Sequence, residues 1–240
     1  TLLEDDAVAM IEFADSKSIM DFTTGWGRNA VANSTQQNKL NNLFNEFLKN
    51  KYGTSTELRK KWSVYDINDQ ETIEAANIIA KPTWRSVLCS TEYKNDMTEF
   101  LISLEIKYYN ILKEITADKL TTANTNNANN YSTADLKIAS KTDFVARNSL
   151  FAKLMNQSDK ITENSIFDEY NSPVISLEKS NVLALGRNAI YDKPFVCGFG
   201  AALPNLYFSA ESVMVTSYAA QNNWIPIQYS YANEDYDTTV

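Results

Sequence analysis

Two short stretches combine residue types and settings that could deliver chemistry. One is Glu12-Phe-Ala-Asp-Ser-Lys-Ser-Ile19, and the other is Phe195-Val-Cys-Gly-Phe-Gly-Ala-Ala-Leu-Pro-Asn205. Each follows or contains an apolar run and then breaks into small or polar residues. In a parallel barrel the C-terminal strand tips share one face, and active sites are built there. Two such tips can bring paired carboxylates together across a sugar ring. One carboxylate attacks the anomeric carbon and the other protonates the leaving oxygen, roughly 5–5.5 Å apart in a retaining glycosidase. The first stretch offers Glu12 and Asp15, with Asp21 just beyond it. The second offers Gly198, and no Glu lies between Lys179 and Glu211.

Other chemistries are closed off by composition. The chain has 240 residues and no histidine. This removes the commonest general base and metal ligand, and with it Ser-His-Asp, Cys-His and His-based zinc sites. Cys89 and Cys197 are too few for a disulfide scaffold and read as small buried residues. Gly25-Trp-Gly27 and Gly198-Phe-Gly200 do not extend to a phosphate-binding loop. The acidic clusters at Glu4-Asp5-Asp6 and near Asp237 lack calcium-loop spacing and read as solvated surface. We expect no metal or organic cofactor. A net charge of −8 argues against nucleic acid as a partner, since a phosphate backbone needs a basic surface. No run reaches the roughly 18 apolar residues of a membrane helix.

The elements that must position the two stretches follow from periodicity. Residues 7–14 read as a short buried strand. Asn38 to Tyr52 forms a helix, with Leu40, Leu43, Phe44, Phe47 and Leu48 on one stripe and Gly53 as terminator. Thr54 to Glu57 has capping-box spacing, and Leu58 and Trp62 share a face of the next short helix. Residues 95–117 form a long helix whose predicted stripe is Met97, Phe100, Leu101, Leu104, Tyr108, Ile111, Leu112 and Ile115. A strand end near Leu120 leads into an exposed polar loop at 124–130. Residues 134–139 and 173–177 are weakly signalled strands, and 194–199 is a better one. Ser209 to Asn222 forms a helix with Val213 and Tyr218 inward, and Trp224 to Tyr231 closes the series as a strand. Alternation of strands and helices without hairpin signals predicts α/β, with a mostly parallel sheet and no internal domain boundary.

Taken in order, these segments resemble the later part of a clan-A glycoside hydrolase barrel, of the kind seen in family 42 β-galactosidases. "LNNLFNEFLKNKYGTSTELRKKW" (Leu40 to Trp62) is similar to the helix-turn-helix that follows the fourth strand there. The stretch from Asp192 to Ala232 resembles the seventh strand, the next helix and the eighth strand. It keeps Lys193-Pro-Phe, Pro204-Asn205, Glu211, Tyr218-Ala-Ala-Gln221 and Trp224 in order. The resemblance covers about residues 3–232, more loosely through "EFLISLEIKYYNILKEI" and Ala134-Asp135. It implies the later part of a TIM-type (β/α)8 barrel, from about strand 4 to strand 8. Strands one to three, roughly 100 or more residues of such a barrel, are then expected from another segment of a longer polypeptide or another chain.

The departures from that pattern set the functional expectation. The family's fourth strand ends Glu-x-x-Asn-Glu-x-Ser-Leu, where the second Glu is the general acid/base. This chain has Asp15 for the Asn and Ser16 for that Glu. The seventh-strand nucleophile falls on Gly198. Glycine cannot attack, and serine at its ordinary pKa cannot replace a tuned carboxylic acid. Losing one essential member of a catalytic unit costs on the order of 10⁴–10⁶ in rate. Asp15 or Glu12 could rescue activity, but Asp15 is one residue out of place, which in a strand means the opposite face. The expectation is therefore a pseudo-glycosidase with a structural or carbohydrate-binding role in an extracellular or surface assembly. Trp26, Trp84 and Trp224 are candidates for stacking on sugar rings at the barrel mouth. Two alternatives stand beside it: an active retaining glycosidase with relocated carboxylates, and a purely structural shell or appendage component that binds no sugar.

Overall fold

The computed structural model describes residues 5–12, 34–81, 83–116, 118–122, 126–128, 132–150, 154–155, 168–169, 181–200 and 208–228. They fall into two units, Thr1–Lys17 with Ile111–Val240, and Ser18–Asn110. The secondary structure is mixed helix and parallel strand, which makes the chain α/β.

The helical unit contains α1 (Ser34–Tyr52), α2 (Ser55–Arg59) and most of α3 (Thr91–Thr116). α1 begins four residues earlier than its apolar stripe predicts. It ends at Gly53, whose φ of 73° supplies the left-handed turn, with Gly53 N donating to Lys49 O at 2.9 Å. Thr54 then caps α2 by accepting from Glu57 N. Phe44 and Leu48 of α1 are buried together with Leu58, Trp62, Tyr93, Met97, Phe100 and Leu101. Each such side chain contributes about 1.5–3 kcal/mol of burial. Phe44 lies 5.1 Å from Phe100, and Trp62 meets Tyr93 edge-on at 4.8 Å between centroids.

Asp96 is the polar centre of this unit. It is buried, and it accepts from Trp62 Nε1 and from the Tyr52 hydroxyl, both at 2.7 Å. Lys51 Nζ lies 2.9 Å from its other oxygen and also pairs with Glu99. Burial works against the charged ammonium, but the hydrogen bonds to Glu99 and Asp96 outweigh it and raise the Lys51 pKa. Burial and the Asp96 hydrogen bond push the Tyr52 hydroxyl far up as well. Asn45 acts as a second clamp, donating to Ile78 O at 2.8 Å while accepting from Ile78 N at 3.1 Å.

Helix α3 begins four residues earlier than predicted, at Thr91, and its buried face is rotated towards the C-terminal end. Tyr108, Ile111 and Ile115 are 52%, 49% and 60% exposed, whereas Tyr109, Leu112 and Thr116 are buried. Apolar residues sit on both of these faces. Periodicity alone selects neither, and the neighbours that pack against the helix make the choice.

In the other unit, β1 (Met10–Glu12) pairs in parallel with β2 (Leu120–Thr122). A second, four-stranded parallel sheet follows the chain order: β3 (Asn126–Asn127), β4 (Val145–Leu150), β7 (Phe195–Gly200) and β8 (Ile225–Gln228). A two-residue antiparallel pair, β5 (Leu154–Met155) and β6 (Asp168–Glu169), lies between β4 and β7 in sequence. The connecting helices are α4 (Thr133–Ala139), α5 (Asn181–Asn188) and α6 (Phe208–Asn222). Strand–helix–strand crossovers of this kind account for the parallel pairing.

Residues 134–139 form helix α4 rather than a strand, because Ser132 and Asp135 make a reciprocal capping box. Residues 124–130 are not simply an exposed loop, since Asn126–Asn127 pair with Arg147–Asn148 and Ala128 is fully buried. The expected strand at 173–177 lies outside the described residues. In α6 the inward residues are Val215 and Ala219, while Val213 and Tyr218 are 67% and 45% exposed.

Candidate functional site

The two faces of the four-stranded sheet are told apart by register. Val145 is paired with Phe195 and Ala146 with Val196. Phe195, Cys197 and Phe199 pack with Val145 against Val182 and Leu185 of α5 and Val215 and Ala219 of α6. This is the helix-covered face. Phe144, Ala146 and Val196 form a separate cluster with Met10 of β1 on the opposite face. Side chains two residues apart on a strand share a face. The face opposite the helices therefore continues from Ala146 to Asn148, from Val196 to Gly198, and from Met10 to Glu12.

Gly198 thus falls on the face opposite the helices, in register between Asn148 and Ile227. β7 runs two residues past it to Gly200. Glu12 is the last residue of β1, exposed, in register with the buried Thr122. By strand parity it is on the Met10 side, as Gly198 is on the Val196 side. Of the two carboxylates offered by the first stretch, Glu12 is placed and Asp15 lies outside the described residues, as do Ser16 and Trp26. Asn148 is a position that the sequence reading missed. Its strand opens with Val145-Ala but continues Arg147-Asn-Ser, so no apolar alternation marks it.

The helix-covered face holds polar residues of a different kind. Arg147 is buried there and donates from Nε to Asn188 Oδ1 at 2.9 Å. Asn188 in turn donates to Ala184 O and Ala128 O, at 2.7 and 3.2 Å. This clasp ties β4, α5 and the end of β3 together. Cys197 is buried on the same face, and burial pushes its thiol up to about 11. Cys89 is buried in the helical unit and its pKa is likewise raised by burial. Both cysteines are free and buried, as the composition suggests.

Of the three tryptophans proposed for stacking on sugar, two are among the described residues. Trp84 is 4% exposed, with the Arg85 guanidinium 4.9 Å from its ring centroid. A ring so buried cannot lie against a sugar. Trp224 precedes β8, at the N-terminal end of the strands, whereas Gly198 and Glu12 are towards C-terminal ends. Its ring meets Phe195 edge-on at 5.1 Å. Among the described residues no three His, Cys, Asp or Glu side chains gather as a metal-binding group. Among them also, no helix is long and apolar enough to cross a membrane.

No protein-family model matches this chain, and no curated protein matches it. A crystal structure of an agarase is similar over 80% of this chain, at 14% identity and a TM-score of 0.47. The chain spans 24% of that agarase's length. Likeness at this level assigns neither family nor activity, and the family 42 resemblance finds no counterpart among the matches.

Proposed function

We propose that the chain is the later part of a glycosidase-like (β/α)8 barrel that has lost hydrolysis, and that it serves as a carbohydrate-binding component of an extracellular or surface assembly. One observation carries this reading. Gly198, on the sheet face opposite the helices, has Asn148 and Ile227 as register neighbours, so none of these three positions bears a carboxylate. Among the described parallel strands Glu12 is the one carboxylate at a C-terminal end, and one group cannot both attack the anomeric carbon and protonate the leaving oxygen. The incomplete barrel is supported by β8. Ile225 and Ile227 share the face of Gly198 by register, yet they are 39% and 42% exposed. In a closed barrel such positions fill the interior. Further βα units, from another segment or chain, would cover them.

Turnover of chromogenic glycosides tests the loss of hydrolysis. The expected result is no release of nitrophenol above the protein-free rate across gluco-, galacto- and manno-configured substrates. Turnover that disappears in Glu12→Gln or Asp15→Asn overturns the reading in favour of relocated carboxylates.

A further inference from the structure

A cavity of about 600 Å³ opens beneath the sheet, at the end opposite Gly198. It is formed where α5 hands over to β7 and α6 to β8. Its size lies within the range of small-molecule sites. Trp224 forms one wall. The ring is braced by the Phe195 edge, and an ideal Cβ at Gly186 would lie 3.7 Å from its Cη2 atom, so the glycine backbone approaches the indole closely. The platform is therefore held before any ligand arrives. Tyr191 stands at the rim, 91% exposed. It makes no contribution to the apolar core.

The polar rim is set by two turns of unusual backbone. Asp192 and Asn223 have φ of 63° and 57°, and both line the cavity. Asn223 follows the last residue of α6, where Trp224 N donates to Ala219 O at 2.9 Å. Asp192 sits in the turn closed by Lys193 N donating to Ile190 O at 3.2 Å. Asn222 lies alongside, its Nδ2 donating to Tyr218 O at 2.8 Å. Lys193 is tied to the Thr142 carbonyl. What lines the cavity is thus aromatic surface with carboxylate and amide groups around it. A hexopyranose unit has an apolar C–H face for an aromatic ring and hydroxyls for planar amide and carboxylate groups.

We infer that this cavity is a carbohydrate site, in which a neutral hexopyranose unit packs on Trp224 and Tyr191 while Asp192, Asn222 and Asn223 hydrogen-bond its hydroxyls. The inference rests on the carbohydrate-binding role proposed above and moves the site to the opposite end of the strands. It does not depend on whether hydrolysis is lost.

Isothermal titration of the full chain with gluco-, galacto- and manno-configured hexasaccharides tests it. Wild type binds at least one of them. Tyr191→Ala, which removes an exposed side chain and leaves the melting temperature unchanged, weakens that binding about tenfold, or 1.4 kcal/mol. Asp192→Gly keeps the turn conformation, loses the carboxylate and weakens binding similarly. Undiminished binding in both variants overturns the cavity assignment and leaves a carbohydrate-binding role at another place. No binding of any of the three by wild type overturns both, and favours a structural component.

Discussion

Replacing Asp96 with alanine removes the acceptor on which three donors of the helical unit converge. The three fare differently without it. Lys51, with a side chain 31% exposed, keeps Glu99, so its loss is small. The Tyr52 hydroxyl is on a half-buried residue and can turn to water, so it contributes about 1 kcal/mol. Trp62 is 5% exposed, and its indole N–H is left without an acceptor in an apolar surrounding, at about 1–3 kcal/mol. The expected destabilisation is therefore about 2–4 kcal/mol. Asp96→Asn retains an acceptor oxygen and should lose about 1 kcal/mol. Urea unfolding of the full chain, followed by tryptophan fluorescence, measures both. In a double-mutant cycle Trp62→Phe removes the stranded donor, so the pair should lose less than the sum by about 1 kcal/mol or more. A loss below about 0.5 kcal/mol for Asp96→Ala, or additivity with Trp62→Phe, would refute the view that this carboxylate organises the unit.

Two further outcomes follow from the titrating groups. Burial pushes Cys197 up to about 11, so the native thiol should resist alkylation at pH 8 and react only on unfolding; labelling with iodoacetamide followed by mass spectrometry reads this, and fast native labelling would contradict the burial. Glu74 accepts hydrogen bonds from Ser55, from its hydroxyl and from its N at 2.9 Å, and these lower its pKa. A lowered folded-state pKa gives stability present above the unfolded value and lost as pH falls through the folded one. The stability gap between wild type and Glu74→Gln should therefore narrow as pH drops from 6 through the carboxylate range, and a gap independent of pH in urea titrations would contradict it.

The sequence by itself determined the local parts and the chemistries that composition closes off. α1, its Gly53 terminator and the Thr54 cap follow from residues within one or two turns of each other, so their signals are complete in the chain. The lack of histidine, and of any Glu between Lys179 and Glu211, limits the chemistry however the chain folds. Residues 134–139 read as a weak strand from their pattern alone, although Ser132 and Asp135 have the spacing of the capping box that starts helix α4. Only the tertiary structure decided what depends on distant neighbours. It buried Tyr109 rather than Tyr108, although both are tyrosines and adjacent. It made a central strand of Val145–Leu150, whose Arg147 is inside because Asn188, 41 residues away, accepts from it. It placed Gly198 beside Asn148 and Ile227 through parallel pairing that no local pattern encodes. It also set Trp224 at the N-terminal end of β8 against Phe195, because strand direction fixes which pole of the sheet a side chain reaches, and direction is a property of the crossovers rather than of the residue.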